Sequence, residues 1–209
     1  MESIVYNKDC MVGMAEYPDK YFDLAVVDPP YGINLKYNTY DDTEENWYHL
    51  MDKFIPEIKR ISTMVIMPSC SIKKLGWIYR NHEPDWLINW YKGSTGHSAY
   101  VGFNTYEPLL VYGKVKGIFL HDTLKLSNTE KMGNYSHPCP KPIDWYKHFY
   151  IKCLPNGGKV IDTFMGSGTS RIAADMTRNI DFVGFELDKD YFDAQEKRWE
   201  EYKKQLTMF

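Results

Sequence analysis

The run Val160-Ile161-Asp162-Thr163-Phe164-Met165-Gly166-Ser167-Gly168-Thr169-Ser170 passes from an apolar stretch through a Gly-x-Gly turn into a segment with helical spacing. Thr169 and Ser170 suit a helix start, Ile172, Ala173 and Met176 form an inward stripe, and Asn179 ends it. Glycines at 166 and 168 let the backbone approach a ligand closely, and a helix N-terminus favours an anion. The spacing departs from a dinucleotide fingerprint, because Arg171 stands where the third glycine would be, so a pyrophosphate is not implied. A second apolar run, Phe182-Val183-Gly184-Phe185-Glu186, ends in a carboxylate 20 residues after Gly166 (186 − 166). That is the separation at which an acidic side chain grips ribose hydroxyls after such a turn.

Working outward, short apolar runs alternate with helical segments along the whole chain, as in an α/β protein with a mostly parallel sheet. Seven strands are expected, near Ser3–Asn7, Leu24–Asp28, Thr63–Met67, Trp86–Tyr91, Pro108–Tyr112, Lys159–Asp162 and Phe182–Glu186. Between the second and third, Trp47, Leu50, Met51, Phe54, Ile55 and Ile58 share one face of a helix over Glu44 to Ile61. A last helix opens near Lys189, with Phe192, Trp199, Tyr202 and Leu206 expected on its buried side. The irregular stretches are Gly32–Thr43, Gly93–Asn104 and Lys116–Pro142. No linker or repeat divides the 209 residues, so one domain is expected.

Composition narrows the function classes. No apolar stretch approaches the roughly 18 residues of a membrane span, and the opening Met1-Glu2-Ser3-Ile4 lacks a signal-peptide pattern. Four isolated cysteines, at 10, 70, 139 and 153, read as reduced thiols, and a cytoplasmic protein is expected. Lys and Arg number 25 against 28 for Asp and Glu, so any nucleic-acid binding must use a local patch. His137, Cys139, His148 and Cys153 lack the close pairs of a structural metal site, and no metal is expected. A hydrolase elbow, Gly-x-Ser-x-Gly, is absent as well.

The other chemical motif is Asp28-Pro29-Pro30-Tyr31-Gly32, directly after the apolar Leu24-Ala25-Val26-Val27. It belongs at the carboxyl end of a strand, where open α/β sheets bind ligands. Each proline lacks an N–H and restricts the residue before it, leaving a stiff turn rich in acceptors. A carboxylate beside an unpaired carbonyl suits a partner with two N–H donors, such as the exocyclic amine of adenine or cytosine, with the Tyr31 ring for a base to stack on. The Gly turn with Glu186 asks for a cofactor that has ribose and a carboxylate but no phosphate, which S-adenosylmethionine (SAM) is.

On these residues the sequence resembles the amino-group DNA methyltransferases that modify adenine N6 or cytosine N4. Asp28-Pro29-Pro30-Tyr31 is similar to their catalytic motif, and Asp162-Thr163-Phe164-Met165-Gly166-Ser167-Gly168-Thr169 to their cofactor motif. His137-Pro138-Cys139-Pro140-Lys141-Pro142 resembles the His-Pro-x-x-Lys-Pro segment of the permuted β class, whose motif order the chain shares. The resemblance implies a circularly permuted, Rossmann-like, SAM-dependent methyltransferase fold with a seven-stranded sheet flanked by helices. It implies that Asp9 and Cys10, in Tyr6-Asn7-Lys8-Asp9-Cys10, lie near the cofactor adenine. Asp28, Asp162, Phe164, Gly166, Ser167, Gly168 and Thr169 would line the cofactor, Lys141 and Pro142 would border its methionine end, and Glu186 would hold the ribose. The segment Asn104–Tyr112, with its acidic residue, resembles a late strand placed near the target-base pocket.

The chemistry this implies is direct in-line methyl transfer to an amine, with no covalent enzyme intermediate. Asp28 and the Pro29 carbonyl would pull the amine nitrogen toward tetrahedral geometry. In double-stranded DNA the base must first leave the helix, at a cost of a few kcal/mol. Lys36, Lys73, Lys74, Lys92, Lys114 and Lys116 are candidates for compensating backbone contacts. Asp at the head of the motif leans toward adenine; cytosine N4, an RNA amine, or a non-catalytic nucleic-acid-binding subunit are the alternatives. Only residues 116–136 remain for target recognition, which leaves room for a short insertion, a homodimer or a partner protein.

Overall fold

The structure, a computed structural model, describes residues 1–93, 98–99, 102–116, 118, 120–127 and 141–206. In chain order its elements are β1 (Ser3–Asn7), α1 (Cys10–Met14), β2 (Phe22–Val26), α2 (Glu44–Ile61), β3 (Ser62–Pro68), α3 (Ile72–Asn81) and β4 (Trp86–Tyr91). There follow β5 (Ser98–Ala99), β6 (Gly102–Phe103), β7 (Tyr106–Gly113), β8 (Thr123–Lys125), α4 (Ile143–Cys153), β9 (Gly158–Asp162), α5 (Thr169–Asp175), β10 (Ile180–Glu186) and α6 (Lys189–Leu206).

The seven expected strands share one sheet, but it holds eight, in the order β1-β10-β9-β2-β3-β7-β4-β8. The eighth, β8, is three residues with one buried side chain, too short to show a periodicity in sequence. A separate hairpin pairs β5 with β6. β1, β10, β9, β2 and β3 run parallel, and β8 runs parallel to β4. Only β7 is reversed, pairing antiparallel with both β3 and β4. Consequently the residues just before β7 arrive at the same edge as the residues just after β1, β10, β9 and β2.

Alternation along the strands builds two cores, one on each face of the sheet. Leu24 and Val26 of β2 point to one face, with Val160, Trp145, Phe149 and Ala173 of β9, α4 and α5. Ala25 and, just past the strand, Val27 point to the other, with Trp47, Met51, Phe54 and Ile55 of α2. Pro56 lies inside α2 without ending it. A proline costs a helix interior about 3 kcal/mol, and the buried Trp47, Met51, Phe54, Ile55, Ile58 and Ile61 offset that.

Three local expectations need correction. In the helix after Gly168, Met176 is exposed and stands outside the inward stripe, because α5 ends at Asp175 with Met176 as its cap, before Asn179. The second strand starts at Phe22 and leaves the ladder after Val26, with one last backbone bond from Val27 to Ile66 at 3.1 Å. Pro29 and Pro30 have no N–H to continue it, so Asp28 stands free of the sheet. In α6 only Gln195 is buried; Phe192, Trp199 and Tyr202 are half-buried and Leu206 is exposed. Its C-terminal turns meet α5 through polar ties instead, Lys203 to Asp175 at 3.1 Å and the Trp199 ring under Arg171.

Candidate active site

Four carboxylates line the carboxyl edge in strand order: Asp9 after β1, Glu186 ending β10, Asp162 ending β9, and Asp28 after β2. The reversed β7 adds Glu107 from its beginning. Five acidic side chains on one edge suit ligands with donors or positive charge, not a polyphosphate.

Asp28 sits in a compact network. Its Oδ1 lies 2.9 Å from the Lys141 ammonium and 3.1 Å from the Tyr31 hydroxyl. That hydroxyl donates to Glu107 Oε1 at 2.5 Å and accepts from Lys141 Nζ at 2.7 Å. Glu107 Oε2 in turn meets Lys92 Nζ at 3.2 Å. Two carboxylates and two ammoniums thus balance around one phenol. Burial alone would raise Glu107, but Lys141 and Lys92 draw it below its ordinary value. Burial alone would lower Lys141, but Asp28 and Glu107 hold it above the usual lysine value. Burial first, and then these same carboxylates, push the Tyr31 phenol far up, so it stays a neutral donor. Among the described residues no donor meets the Pro29 carbonyl, which leaves it available beside Asp28.

The loop after Tyr31 is tied down from inside. Asp42, itself buried, accepts from the amides of Gly32 at 2.6 Å and of Ile33 and Leu35, each at 3.1 Å. Lys74, from α3, donates to the Tyr31 carbonyl and, at 3.1 Å, to that of Gly32, with its ammonium 4.4 Å from the centre of the Trp47 ring. Gly32 takes φ +62°, and a Cβ there would stand 2.6 Å from Trp47 Cβ, so no other residue fits this corner.

The Gly turn is held by Glu186, whose Oε2 accepts from Gly166 N at 2.7 Å and Oε1 from Asp188 N at 2.8 Å. Gly166 and Gly168 both adopt positive φ, 48° and 73°. The turn's outer side is spent on structure. Ser167 and Thr169 pair their hydroxyls at 2.9 Å, and Arg198 of α6 donates to the Ser167 carbonyl and the Thr169 hydroxyl. Arg171 lies against the Trp199 ring at 4.2 Å and bonds Glu196, tying α5 to α6. The basic groups around the turn are thus engaged on its outer side, which agrees with the absence of a pyrophosphate fingerprint.

Asp162 is fully buried; its Oδ1 accepts from Phe164 N at 3.0 Å, while its Oδ2 has no partner. Burial lifts its carboxyl to about 7, with Asp28 and Glu186 adding to the rise. Such a raised carboxyl binds its proton more tightly in the folded chain than in the unfolded one. The contribution of Asp162 to stability therefore falls as pH rises from the unfolded value near 3.8 to about 7, by up to about 1.4 kcal/mol per pH unit, and levels off above. Asp162→Asn is expected to flatten that slope, which denaturant titrations between pH 4 and 8 would show. An equal slope in both proteins would contradict the assignment.

Of the residues expected from sequence, Asp28 and Tyr31 join with Lys141, while Asp162, Gly166, Gly168 and Glu186 form the adjoining cradle. Lys141 reaches Asp28 and Tyr31, and buried Pro142 starts α4. Asp9 caps α1, accepting from Met11 and Val12. Phe164 packs its ring on Phe54 at 5.0 Å. Burial pushes the Cys10 and Cys153 thiols up to about 12 and Cys70 higher, so none is a ready nucleophile. The Lys141 ammonium lies 5.0 Å from the centre of the Tyr31 ring, at its hydroxyl end. His137 to Pro140 and most of 116–136 lie outside the described residues.

The lysine expectations divide. Lys36, Lys73 and Lys116 are exposed. Lys74 and Lys92 point inward to the network and are not available for a DNA backbone. Lys114 follows the end of β7, beside the start of β3, and so sits at the opposite edge from Asp28. Sequence reasoning missed Asp42 and Asp188. For Asp188 a signal was present, because an acidic residue between a strand and a helix start is an N-cap pattern; its Oδ1 accepts from Asp190 and Tyr191.

The chain is 26% identical to the type II methyltransferase M.HinfI of Haemophilus influenzae, over 95% of this chain and 68% of that protein. It is 22% identical to M.HpaI of Haemophilus parainfluenzae, over 95% and 74%. Its fold superposes on the M1.HpyAVI–SAM complex with a TM-score of 0.70 at 18% identity, covering 94% of this chain and 98% of that one. It superposes on the PvuII cytosine-N4-specific DNA methyltransferase with a TM-score of 0.69 at 15% identity, covering 94% and 86%. The permuted, SAM-dependent methyltransferase architecture is thus the fold of this chain. A family model described as DNA methylase matches residues 22–197, nearly everything from β2 into α6, and the chain belongs to that N6/N4 methyltransferase family.

Proposed function

We propose that this protein moves a methyl group from SAM to the exocyclic N6 amine of an adenine extruded from double-stranded DNA. One observation carries the reading: the Asp28 carboxylate and the unpartnered Pro29 carbonyl project from β2 directly beside the cradle at the ends of β9 and β10. The cradle fits SAM on its own chemistry. Buried Asp162 Oδ2 lacks a partner, the turn has positive φ where backbone must come close, and acids rather than bases surround it. Gly166, Gly168, Asp162 and Glu186 would hold the cofactor, which supplies an electrophilic methyl on a sulfonium.

The chain's own residues then do three things. Asp28 and Pro29 accept the two amine hydrogens, which localises the nitrogen lone pair and aims it. Their fixed position means no solvent must reorganise as positive charge grows on that nitrogen. The prolines and the Asp42–Lys74 ties keep the acceptors in place. The lean to adenine rests on Asp28 at the head of the motif. Cytosine N4 is the second reading, because its amine presents the same two donors and one protein of this fold is cytosine-N4-specific.

Incubating the protein with methyl-labelled SAM and unmethylated DNA, then digesting to nucleosides for mass spectrometry, tests this. N6-methyladenine is expected. N4-methylcytosine would move the reading to cytosine, and no label in DNA, with SAM shown to bind, would end it.

A further inference from the structure

The position where the amine should bind is already held. Lys141 Nζ lies 2.9 Å from Asp28 Oδ1 and 2.7 Å from the Tyr31 hydroxyl, with both charged side chains largely buried. An ammonium and a base amine offer the same kind of N–H donor to the same carboxylate, so the two compete for its charge. A buried carboxylate left without a partner is strongly disfavoured, and Lys141 spares Asp28 that state. When the base arrives, Lys141 must find another acceptor. Glu107 is the one within the network: its Oε1 is bonded to the Tyr31 hydroxyl, which Lys141 already touches, and Lys92 holds its other oxygen.

We propose, on the strength of the function above, that Lys141 is a stand-in for the target amine, and that Glu107 receives its charge when a base displaces it. Asp28 then passes from one donor to the other without being left bare. Lys141 and Glu107 are positioning residues acting through Asp28, and their balance sets how readily the pocket accepts a base. If Glu107 loses its charge, Lys141 has only Asp28 as a carboxylate partner and grips it harder. If Lys141 loses its charge, the seat stands open.

The two changes therefore oppose each other, which a merely structural role would not produce. Steady-state kinetics on unmethylated plasmid DNA, with SAM affinity by calorimetry, read them out. Glu107→Gln is expected to raise the KM for DNA by about tenfold, the scale of one charge-assisted hydrogen bond. Lys141→Met is expected to lower it, and in the double variant the Glu107→Gln penalty should vanish. Penalties that multiply in the double variant, or a Lys141→Met that weakens SAM and leaves the KM for DNA alone, overturn the proposal. If Lys141→Met does not fold, Lys141→Arg keeps the stand-in and should retain the raised KM in the Glu107→Gln background; a return to the wild-type value overturns it. A wild-type protein inactive on all DNA would instead refute the methyltransferase reading itself.

Discussion

Asp28→Ala is expected to reduce methyl transfer by about a thousandfold or more, the scale seen when a fixed polar group that meets developing charge is removed. Three features of the structure make the effect large. Asp28 stands beyond the β2 ladder, so its side chain has no share in holding the sheet. In the proposed reading it is the carboxylate of the amine seat, and the Pro29 carbonyl alone cannot receive both amine hydrogens. The prolines beside it prevent the chain from bringing another group forward. SAM binding should survive, because the cradle hangs on Glu186 and its backbone partners. Label transfer to DNA, beside calorimetric titration with SAM, separates the two. A variant that keeps more than a tenth of the wild-type rate would exclude Asp28 from the chemistry.

Glu186→Ala should produce the reverse pattern, a loss of SAM affinity by about a hundredfold with a lower melting temperature. Glu186 is buried, and its two oxygens answer the amides of Gly166 and Asp188. Leaving a buried amide unanswered costs about 1–3 kcal/mol, and two are orphaned here, one of them in the turn that must cradle the ligand. Glu186→Gln retains one acceptor oxygen and should fall between. The burial that lifts the Glu186 carboxyl above its ordinary value is opposed by these same amides. Unaltered SAM affinity in the alanine variant would remove Glu186 from the cofactor site.

How much of the fold and site is legible in the sequence depends on distance along the chain. Strands such as Leu24 to Val27 and the turn at Gly166–Gly168 announce themselves because apolar runs, prolines and glycines act over a few residues. The Tyr31–Glu107 bond joins positions 76 apart, and no local pattern encodes it. The same holds for Lys92 and Lys74, which look like surface lysines until β4, β7 and α3 bring acceptors to them. Lys114 departs from expectation for a topological reason. A reversed strand returns the chain to the far edge, and sequence alone does not say which strand is reversed.

The cross-ties of Asp42 and Lys74 have a consequence for the freedom of the loop they hold. A segment whose bend is enforced by three amides and two carbonyls facing inward is already shaped, so little conformational entropy remains to be lost on any association. Its outward positions, among them Ile33, Lys36 and Asn38, are thereby uncoupled from the bend. Exchange of those side chains is therefore expected to leave the bend as it is.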